Sequence, residues 1–579
     1  MKLKANGQNS RRINEKIAFP FYPFSLFSMS LFLIAALVLI YGVVYPNANV
    51  LMTSLLRDGS WTLSNYVSAL SQGSTLEAMW SSALLSLLTV GLCALVGVPL
   101  AFLFERYEFP ARKVFAAVAA LPLVLPPLVG TVAFIFLCGE SGMLARLVQK
   151  TFHLTSSPWT LRGWGALLLF HTYTMYPFFY LLVGAGLLRI DAGLSEAARG
   201  LGAGPIKILW RIVLPQLTPS LLAAGLLTFM TSMASFSAPL LFGGNVRLLT
   251  LEIYTAKQRG DVATALTETV ILATISLVTL ILFQRYEGTR QFVSAAMKGS
   301  TKRRVTIKSG RVRGVAAVCG VFLALVLAMP VFTLVLISFA RDGAWTTQIF
   351  PPAYTLENFR RVFVQDDAGG VLFNSFLMSG LAALAALVWS FCVVALVAGR
   401  RTFSRRVLSL LVLVPWALPG TVVAVSIAEA YGKKNPLTGS FILVGTFWIL
   451  PVIYFLRFMP LVVRSVQASM EQMDPSLEEA ASSLGAHKWK RFVSVRLPLI
   501  WPGALAGTLL VFVIALGEYV ASVLVFVPRN RPISIAIAGA MRDFNLGTAA
   551  AYGVVLISFI ALSMFVASRL ERVPSARSR

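Results

Sequence analysis

Long apolar segments separated by short polar ones run along almost the whole chain of 579 residues. Twelve of these segments are long enough to cross the roughly 30 Å hydrocarbon core of a bilayer as helices. They lie near residues 24–45, 79–104, 115–138, 164–188, 217–242, 268–284, 314–339, 372–398, 407–430, 439–463, 499–526 and 549–568. The pattern predicts an all-α membrane protein with about twelve transmembrane helices.

The composition supports this fold class and affects how the high net positive charge is interpreted. Hydrophobic residues make up 57% of the chain and charged residues 13%, whereas soluble proteins have about 45–50% and about 25%. The net charge of +26 comes from basic clusters between the apolar segments, which is typical of membrane topology rather than of nucleic-acid binding. We therefore expect a lipid bilayer around the chain and no nucleic-acid partner.

The basic clusters also predict the orientation of the chain. The N-terminal residues 1–23 are basic, and the densest basic stretch, 298–313, lies mid-chain between the sixth and seventh apolar segments. Placing the N-terminus in the cytoplasm puts most lysines and arginines on the cytoplasmic side, as the positive-inside rule requires. An even number of spans then predicts a multi-pass protein with both termini in the cytoplasm.

An internal repeat divides the chain into two halves. Arg57–Trp61 (RDGSW) recurs 284 residues later as Arg341–Trp345 (RDGAW), and other pairs keep nearly the same offset. The repeat predicts two tandem homologous six-span halves in parallel orientation, with a translocation path between them. The predicted segments are a cytoplasmic N-terminus (1–23), the first half (24–290), a basic cytoplasmic linker (291–313), the second half (314–568) and a cytoplasmic tail (569–579).

A polar motif occurs once in each half, at 189–216 and at 472–499, without a gap between the copies. Asp474 followed by Pro475 is a favourable helix start, and Gly485 supplies the left-handed residue that commonly ends a helix. A basic amphipathic stretch follows in both copies. We predict a short helix, a turn and a second helix on the cytoplasmic face, where small alanines allow close packing and a glutamate stays exposed.

This motif resembles the EAA loop of importer permease subunits of the ATP-binding-cassette (ABC) class. The residues that match are Glu196, Ala197, Ala198, Gly202 and Pro215 in the first copy and Glu479, Ala480, Ala481, Gly485 and Pro498 in the second. In that family the loop is a coupling helix that docks in a groove of a cytoplasmic ATPase. The resemblance implies a type I importer permease fold in the bacterial inner membrane, two ATPase subunits, and a periplasmic or lipid-anchored substrate-binding protein.

The chain carries no motif for chemistry of its own. No phosphate-binding GxxxxGK[ST] loop occurs in the sequence, so ATP and magnesium are expected on the separate ATPase. The four cysteines lie inside apolar segments without metal-binding spacing, and no catalytic cluster or metal site is predicted. We therefore expect a transport subunit rather than an enzyme, with no cofactor in this chain.

The alternative from another class is a proton-driven secondary transporter, which can also consist of two parallel six-span halves. Such a transporter needs titratable groups deep in the membrane, and the candidates are few: His171, Arg457 and Glu518, with Glu429 near the end of a span. It also leaves the duplicated loop without a role. ATP-dependent uptake that is insensitive to an uncoupler would separate the two classes.

The substrate is predicted from resemblance alone. Ser235–Gly244 and Leu516–Ser522 are most similar to permeases for ferric iron, within a branch that also serves thiamine, phosphonates and polyamines; these remain alternatives. Three polar positions in these stretches, Ser235, Glu518 and Tyr519, are candidates for the translocation path. A carboxylate in hydrocarbon is costly, so Glu518 is expected to face the protein interior, as a path residue or as a structural one.

Overall fold

The protein is described here by a computed structural model, which covers residues 26–190, 192–290, 305–306, 309–345, 347–364, 368–397, 403–439 and 441–571. Within these residues, eleven helices are long and apolar enough to cross a membrane. A twelfth span results if Val407–Ala417 and Gly420–Ala430, which meet at a bend of 107°, count as one. The predicted all-α membrane fold with about twelve spans is confirmed.

Helices account for nearly all of the first sequence half. They are α1 (Leu26–Leu39), α2 (Tyr45–Ser54), α3 (Ser64–Ser71), α4 (Gly73–Arg106), α5 (Arg112–Ala119), α6 (Pro127–Cys138), α7 (Met143–Thr151), α8 (Gly163–Leu187), α9 (Ala192–Gly200), α10 (Pro205–Ile208), α11 (Leu214–Met233), α12 (Ser237–Phe242), α13 (Leu249–Gln258) and α14 (Val262–Arg290). Ile40–Val44 and Leu209–Val213 are π-helical turns, and Leu121–Val124 is a 3-10 turn. The short strands are β1 (Leu56–Arg57), β2 (Ser60–Trp61) and β3 (Tyr107–Glu108), the last of which pairs in parallel with β4 (Val305–Thr306).

The second half follows the same plan. Its helices are α15 (Gly310–Ser338), α16 (Glu357–Val364), α17 (Ala368–Val397), α18 (Phe403–Ala417), α19 (Gly420–Ala430), α20 (Ile449–Glu471), α21 (Pro475–Ser483), α22 (Lys488–Arg491), α23 (Leu497–Leu516), α24 (Val520–Val525), α25 (Ile533–Arg542) and α26 (Leu546–Glu571). Phe492–Arg496 is a π-helical turn, and Pro436–Thr438 and Pro528–Asn530 are 3-10 turns.

Several predicted spans differ from the helices observed. The span predicted at 439–463 begins only at Ile449, because Gly439 and Gly445 have φ values of 60° and 83°, which no right-handed helix accommodates. The segments predicted at 217–242 and 499–526 are each interrupted, after Met233 and after Leu516, before a short second helix. Prolines interrupt two further spans: α6 starts directly after Pro126, and α19 directly after Pro419.

The chain forms two compact units whose bounds differ from the sequence halves. Unit 1 comprises Met1–Leu56, Asp366–Ala536 and Ser558–Arg579, and unit 2 comprises Arg57–Gln365 and Ile537–Ile557. Unit 1 therefore combines the first span of the chain with most spans of the second half. Unit 2 combines α15 of the second half with the later spans of the first. The sequence repeat alone could not indicate this exchange, because it depends on tertiary packing.

The core of unit 2 consists of α4, α8 and α11 together with an aromatic cluster. Phe170 contacts Phe134 and Phe242 edge to face, with ring centroids 5.4 and 5.5 Å apart, a favourable arrangement of aromatic pairs. Gly97 allows α4 to approach α8, since a Cβ atom there would lie 2.6 Å from the Cβ of Phe179. Small residues at such contacts are the usual means of packing helices in membranes.

Unit 1 uses small residues in the same way. Its α20 and α23 meet where Gly507 faces Ser465, and a Cβ on that glycine would lie 2.7 Å from the serine Cβ. The hydroxyl of Ser465 donates to the Gly503 carbonyl at 2.6 Å, so a polar contact accompanies the close approach. Such helix contacts position the ends of α20 and α23, where the second polar motif lies.

The repeat extends to individual hydrogen bonds. In unit 2 the Leu249 N–H donates to Ser82 Oγ at 3.0 Å, and in unit 1 the Ile533 N–H donates to Ser375 Oγ at 2.7 Å. Ile533 follows Leu249 by 284 positions, which is the offset of the repeated RDGSW motif. Ser375 follows Ser82 by 293 positions, which is nearly the same offset. The two halves thus place equivalent helix starts against equivalent spans.

Candidate coupling loops and intramembrane polar sites

The two polar motifs fold identically at the level of the backbone. In the first, the Gly202 N–H donates to the Arg199 carbonyl and the Ala203 N–H to the Ala198 carbonyl, both at 2.9 Å. In the second, the N–H groups of Gly485 and Ala486 donate to the carbonyls of Ser482 and Ala481 at 3.0 Å. These are the paired bonds of a Schellman helix end.

Glycine is required where each loop helix ends. Gly202 and Gly485 both have φ of 79°, in the left-handed region that is costly for residues with a Cβ. A Cβ at either position would have no atom within 4 Å. The requirement is therefore one of backbone conformation and not of space. The predicted left-handed glycine after each loop helix has the expected geometry.

The second loop also has the predicted helix start. Asp474 Oδ1 accepts a hydrogen bond from the Ser476 N–H at 2.9 Å, and Pro475 occupies the first turn of α21. This backbone donor lowers the pKa of the exposed Asp474 carboxyl, because it favours the charged form. The cap is therefore complete at neutral pH and is lost as the pH falls through the lowered pKa. Asp191, the corresponding residue of the first loop, lies outside the described residues.

The side chains of the motif divide into exposed and half-buried positions. Glu196 and Glu479 are exposed, whereas Ala198 and Ala481, whose carbonyls accept the helix-ending bonds, are half-buried. Ala197 and Ala480 are exposed beside the glutamates. Each loop therefore presents its motif glutamate on a small, closely approachable surface.

Sequence reasoning missed an exposed leucine in each loop. Leu201 and Leu484, the residues before the two glycines, are 89% and 88% exposed. Both loops therefore carry a large, exposed apolar side chain at the same position of the motif. The available signal was the shared Leu-Gly pair in the two motifs, of which only the glycine was interpreted.

Pro215 and Pro498 lie where the loop passes into the following span. Each follows a π-helical turn: the Leu214 N–H donates to the Leu209 carbonyl, and the Leu497 N–H to the Phe492 carbonyl. Proline has no N–H and its ring conflicts with the carbonyl four residues earlier, so a widened turn before it relieves that conflict. Both prolines thus fix the same local geometry at the start of α11 and α23.

The candidate path residues Ser235 and Glu518 lie at equivalent helix breaks. Ser235 belongs to unit 2, between α11 and α12, and Glu518 to unit 1, between α23 and α24. Their backbone carbonyls accept equivalent hydrogen bonds, from Thr250 Oγ1 at 2.7 Å and from Ser534 Oγ at 2.8 Å. At each helix break, a side-chain hydroxyl therefore satisfies a backbone carbonyl.

Glu518 has a specific partner that the sequence did not identify. Its Oε2 lies 2.6 Å from Nη1 of Arg457 on α20, and its Oε1 accepts from the Ala521 N–H at 2.9 Å. Glu518 is 7% exposed, so the predicted interior position is confirmed. Gly420 leaves room for the guanidinium, because a Cβ there would overlap Arg457. Tyr519, the third candidate, is also buried.

The equivalent position of unit 2 holds a hydrogen-bonded network of serine and histidine side chains instead. His171 is fully buried, with Nε2 2.9 Å from Ser235 Oγ and Nδ1 3.1 Å from Ser232 Oγ. The neighbouring Tyr173 and Tyr176 donate to the carbonyls of Leu327 and Ala119 at 2.8 and 2.6 Å. One unit thus uses an ion pair where the other uses serine and histidine hydrogen bonds.

No group of three or more metal-ligating side chains is found in the part of the chain that the structure describes. The four cysteines are free thiols.

Within the described residues, eleven or twelve helices are apolar enough to span a membrane, and the polar loop occurs twice, which is the architecture of a multi-pass membrane protein with an internal repeat. Residues 97–288 and 390–573 match the model of the binding-protein-dependent transport system inner membrane component. The match covers more than half of the chain and one region in each half. The chain belongs to this family.

Curated relatives extend the match over nearly the full length. The probable ABC transporter permease protein y4fN of Sinorhizobium fredii is 30% identical over 95% of this chain and 97% of its own. The ferric transport system permease protein FbpB of Actinobacillus pleuropneumoniae is 25% identical over 90% of this chain and 75% of its own. A putative ferric transport system permease protein FbpB 1 of Haemophilus influenzae is 24% identical over 83% and 75%.

Family membership confirms the prediction of a fused two-half ABC importer permease. The chain is a transport subunit and not an enzyme. The family is binding-protein-dependent by definition, which implies a substrate-binding protein and an ATPase as partners. The chain is a multi-pass membrane protein, and the family implies the inner membrane.

Proposed function

We propose that this chain forms the translocation path of an ATP-driven importer for ferric iron, delivered by a periplasmic or lipid-anchored binding protein. The support for iron is the name of the two ferric transport permeases, which are 24–25% identical over 83–90% of this chain. Thiamine, phosphonate and polyamine remain the alternatives for the same architecture. The binding protein, rather than the permease, would carry most of the selectivity.

The observation that carries the transport mechanism is the identical backbone geometry of the two loops. Two equivalent Schellman-ended helices would provide two equivalent docking sites, so one chain would bind two ATPase subunits. ATP and magnesium would bind to those subunits and not to this chain. Glu196, Ala197, Ala198, Gly202 and Pro215, with Glu479, Ala480, Ala481, Gly485 and Pro498, would be the coupling residues.

The exposed surface of each loop suggests what the ATPase groove must offer. A leucine about nine-tenths exposed stands beside an exposed alanine and an exposed glutamate. Burying one leucine side chain contributes about 1.5–3 kcal/mol. A groove with an apolar floor and a hydrogen-bond donor at its rim would match both groups. Such a groove lies in the cytoplasm, so both loops and both termini would face that side.

Ser235, Glu518 and Tyr519 are proposed to contribute to the path. Ser235 and Glu518 mark equivalent interruptions of a membrane helix, where side chains and freed backbone groups can meet a solute. The rival proton-driven mechanism leaves the two equivalent loops without a role.

Uptake into proteoliposomes tests the proposal. The permease is reconstituted with its ATPase, and radiolabelled ferric iron is supplied on the binding protein, with thiamine, a phosphonate and a polyamine in parallel. We expect uptake of iron alone, dependent on ATP and unchanged by an uncoupler. Uptake of one of the other solutes would reject iron, and uptake abolished by the uncoupler without a need for ATP would reject the ABC mechanism.

A further inference from the structure

The second loop contains an ion pair that the proposed coupling motif does not include. Glu478 lies on α21, and Arg496 ends the π-helical turn that leads into α23. Arg496 Nη2 donates to Glu478 Oε2 at 2.6 Å, and Arg496 Nε pairs with Glu478 Oε1. The guanidinium therefore contacts both carboxylate oxygens, which is the strongest geometry for such a pair.

The pair is largely shielded from water. Arg496 is 5% exposed, and Glu478 is half-buried. A shielded, two-point contact fixes both distance and orientation, whereas an exposed ion pair adds little. Glu478 and Arg496 are eighteen positions apart in the chain. Their contact therefore connects the loop helix directly to the start of the following span.

The first loop lacks this connection. The positions 283 residues earlier are Ser195 and Val213, and Val213 is buried. A serine and a valine cannot form an ion pair, although the helix ends of the two loops have the same backbone hydrogen bonds. A side-chain contact that links the second loop helix to its span thus has no counterpart at the equivalent positions of the first loop.

From this difference we infer that Glu478 and Arg496 are positioning residues that hold the second loop helix against its span, so that the two loops differ in rigidity. This inference rests on the proposed coupling role only for its functional consequence. Motion of the second docking site would pass directly to α23. Motion of the first would reach α11 through the backbone and packing alone.

Removing one partner of the ion pair should loosen the second loop helix more than removing both partners. Glu478→Gln leaves the Arg496 guanidinium buried without its counter-charge, whereas Glu478→Gln with Arg496→Met removes both charges. If the two residues act as a unit, the loop of the double variant will be at least as rigid as that of the single variant. Arg496→Lys keeps the charge and loses the two-point contact, and should lie between wild type and Glu478→Gln.

Amide hydrogen exchange of the full chain in lipid nanodiscs measures loop rigidity without the ATPase. For Glu478→Gln we expect exchange in 475–486 to accelerate about tenfold, the effect of losing a charge-assisted hydrogen bond, with 192–203 unchanged. Ser195→Ala, the matched control in the first loop, should alter neither segment. Unchanged exchange in 475–486 would overturn the inference.

If Glu478→Gln reduces membrane abundance, introducing the same ion pair into the first loop provides an independent test. Ser195→Glu combined with Val213→Arg should slow exchange in 192–203, and Ser195→Glu alone should not. An equal effect of the single and double grafts would contradict the inference. Co-purification of the wild-type chain with the ATPase is scored separately. Its absence would reject the coupling role, while the exchange result would still decide whether the pair holds the loop.

Discussion

Gly485 provides the sharpest test of the loop geometry, because the conformation there is demanding and the surroundings are open. Its φ is 79°, and no atom lies within 4 Å of the position that a Cβ would occupy, which leaves a single source of strain. A residue with a Cβ in the left-handed region costs about 1–2 kcal/mol. Gly485→Ala should therefore weaken the helix end by that amount, and Gly485→Val by more, because β-branched side chains tolerate this region least.

The cost translates into a measurable population. A change of about 1–2 kcal/mol alters the ratio of formed to unformed structure by a factor of about 5–30. The twelve spans should be unaffected, since Gly485 is exposed and lies outside every candidate span. We expect normal membrane abundance, less ATPase co-purified, and uptake per copy reduced several-fold. Gly485→Asn should retain most activity, because asparagine visits the left-handed region more readily.

A glycine of the first loop supplies the control. Gly204 also has no atom within 4 Å of its Cβ position, but its φ is −66°, which any residue adopts. Gly204→Ala should have little effect, while Gly202→Val should resemble Gly485→Val. Normal uptake and co-purification by Gly485→Val at normal abundance would refute the reasoning. Equal losses in the alanine variants of Gly204 and Gly485 would show that φ is not the cause.

Three further outcomes are expected. Glu518→Gln should lower membrane abundance, because it leaves the half-buried Arg457 without the carboxylate that pairs with it. Glu518→Gln with Arg457→Met should restore abundance, and uptake per copy at the wild-type rate in that double variant would exclude a path role. Asp474→Ala should increase the mobility of a spin label at Ser483, while Asp474→Ser, which can still cap the helix, should not; equal mobility in both would mean that the cap is unimportant. Leu484→Ser should reduce ATPase co-purification without changing abundance, and unaltered co-purification would show that this side chain is not covered by the partner.

Local chemistry is what the sequence predicts well here. Asp474, Pro475 and Gly485 act through backbone rules that operate within a few residues, and the structure has each of them in the expected conformation. The spans were found because apolar length is a local property. Their ends were less accurate: the positive φ of Gly439 and Gly445 delays the tenth span by ten residues, from 439 to 449.

Contacts between distant residues could not be predicted. Arg457 and Glu518 were both recognised as membrane-embedded charges, but their pairing depends on how α20 packs near the break after α23. The exchange of first spans between the two units likewise depends on packing. His171 was also recognised as a membrane-embedded group, but its serine partners lie 61 and 64 positions away in the chain and could not be identified from the sequence.

The central claim is that one fused chain supplies both docking sites of an ABC importer. Native mass measurement of the affinity-purified complex in mild detergent tests this directly. The account predicts a single copy of the 62.9 kDa chain with two copies of a nucleotide-binding ATPase subunit. A homodimer of this chain, or a chain that purifies without any ATPase subunit under conditions that preserve its fold, would contradict it.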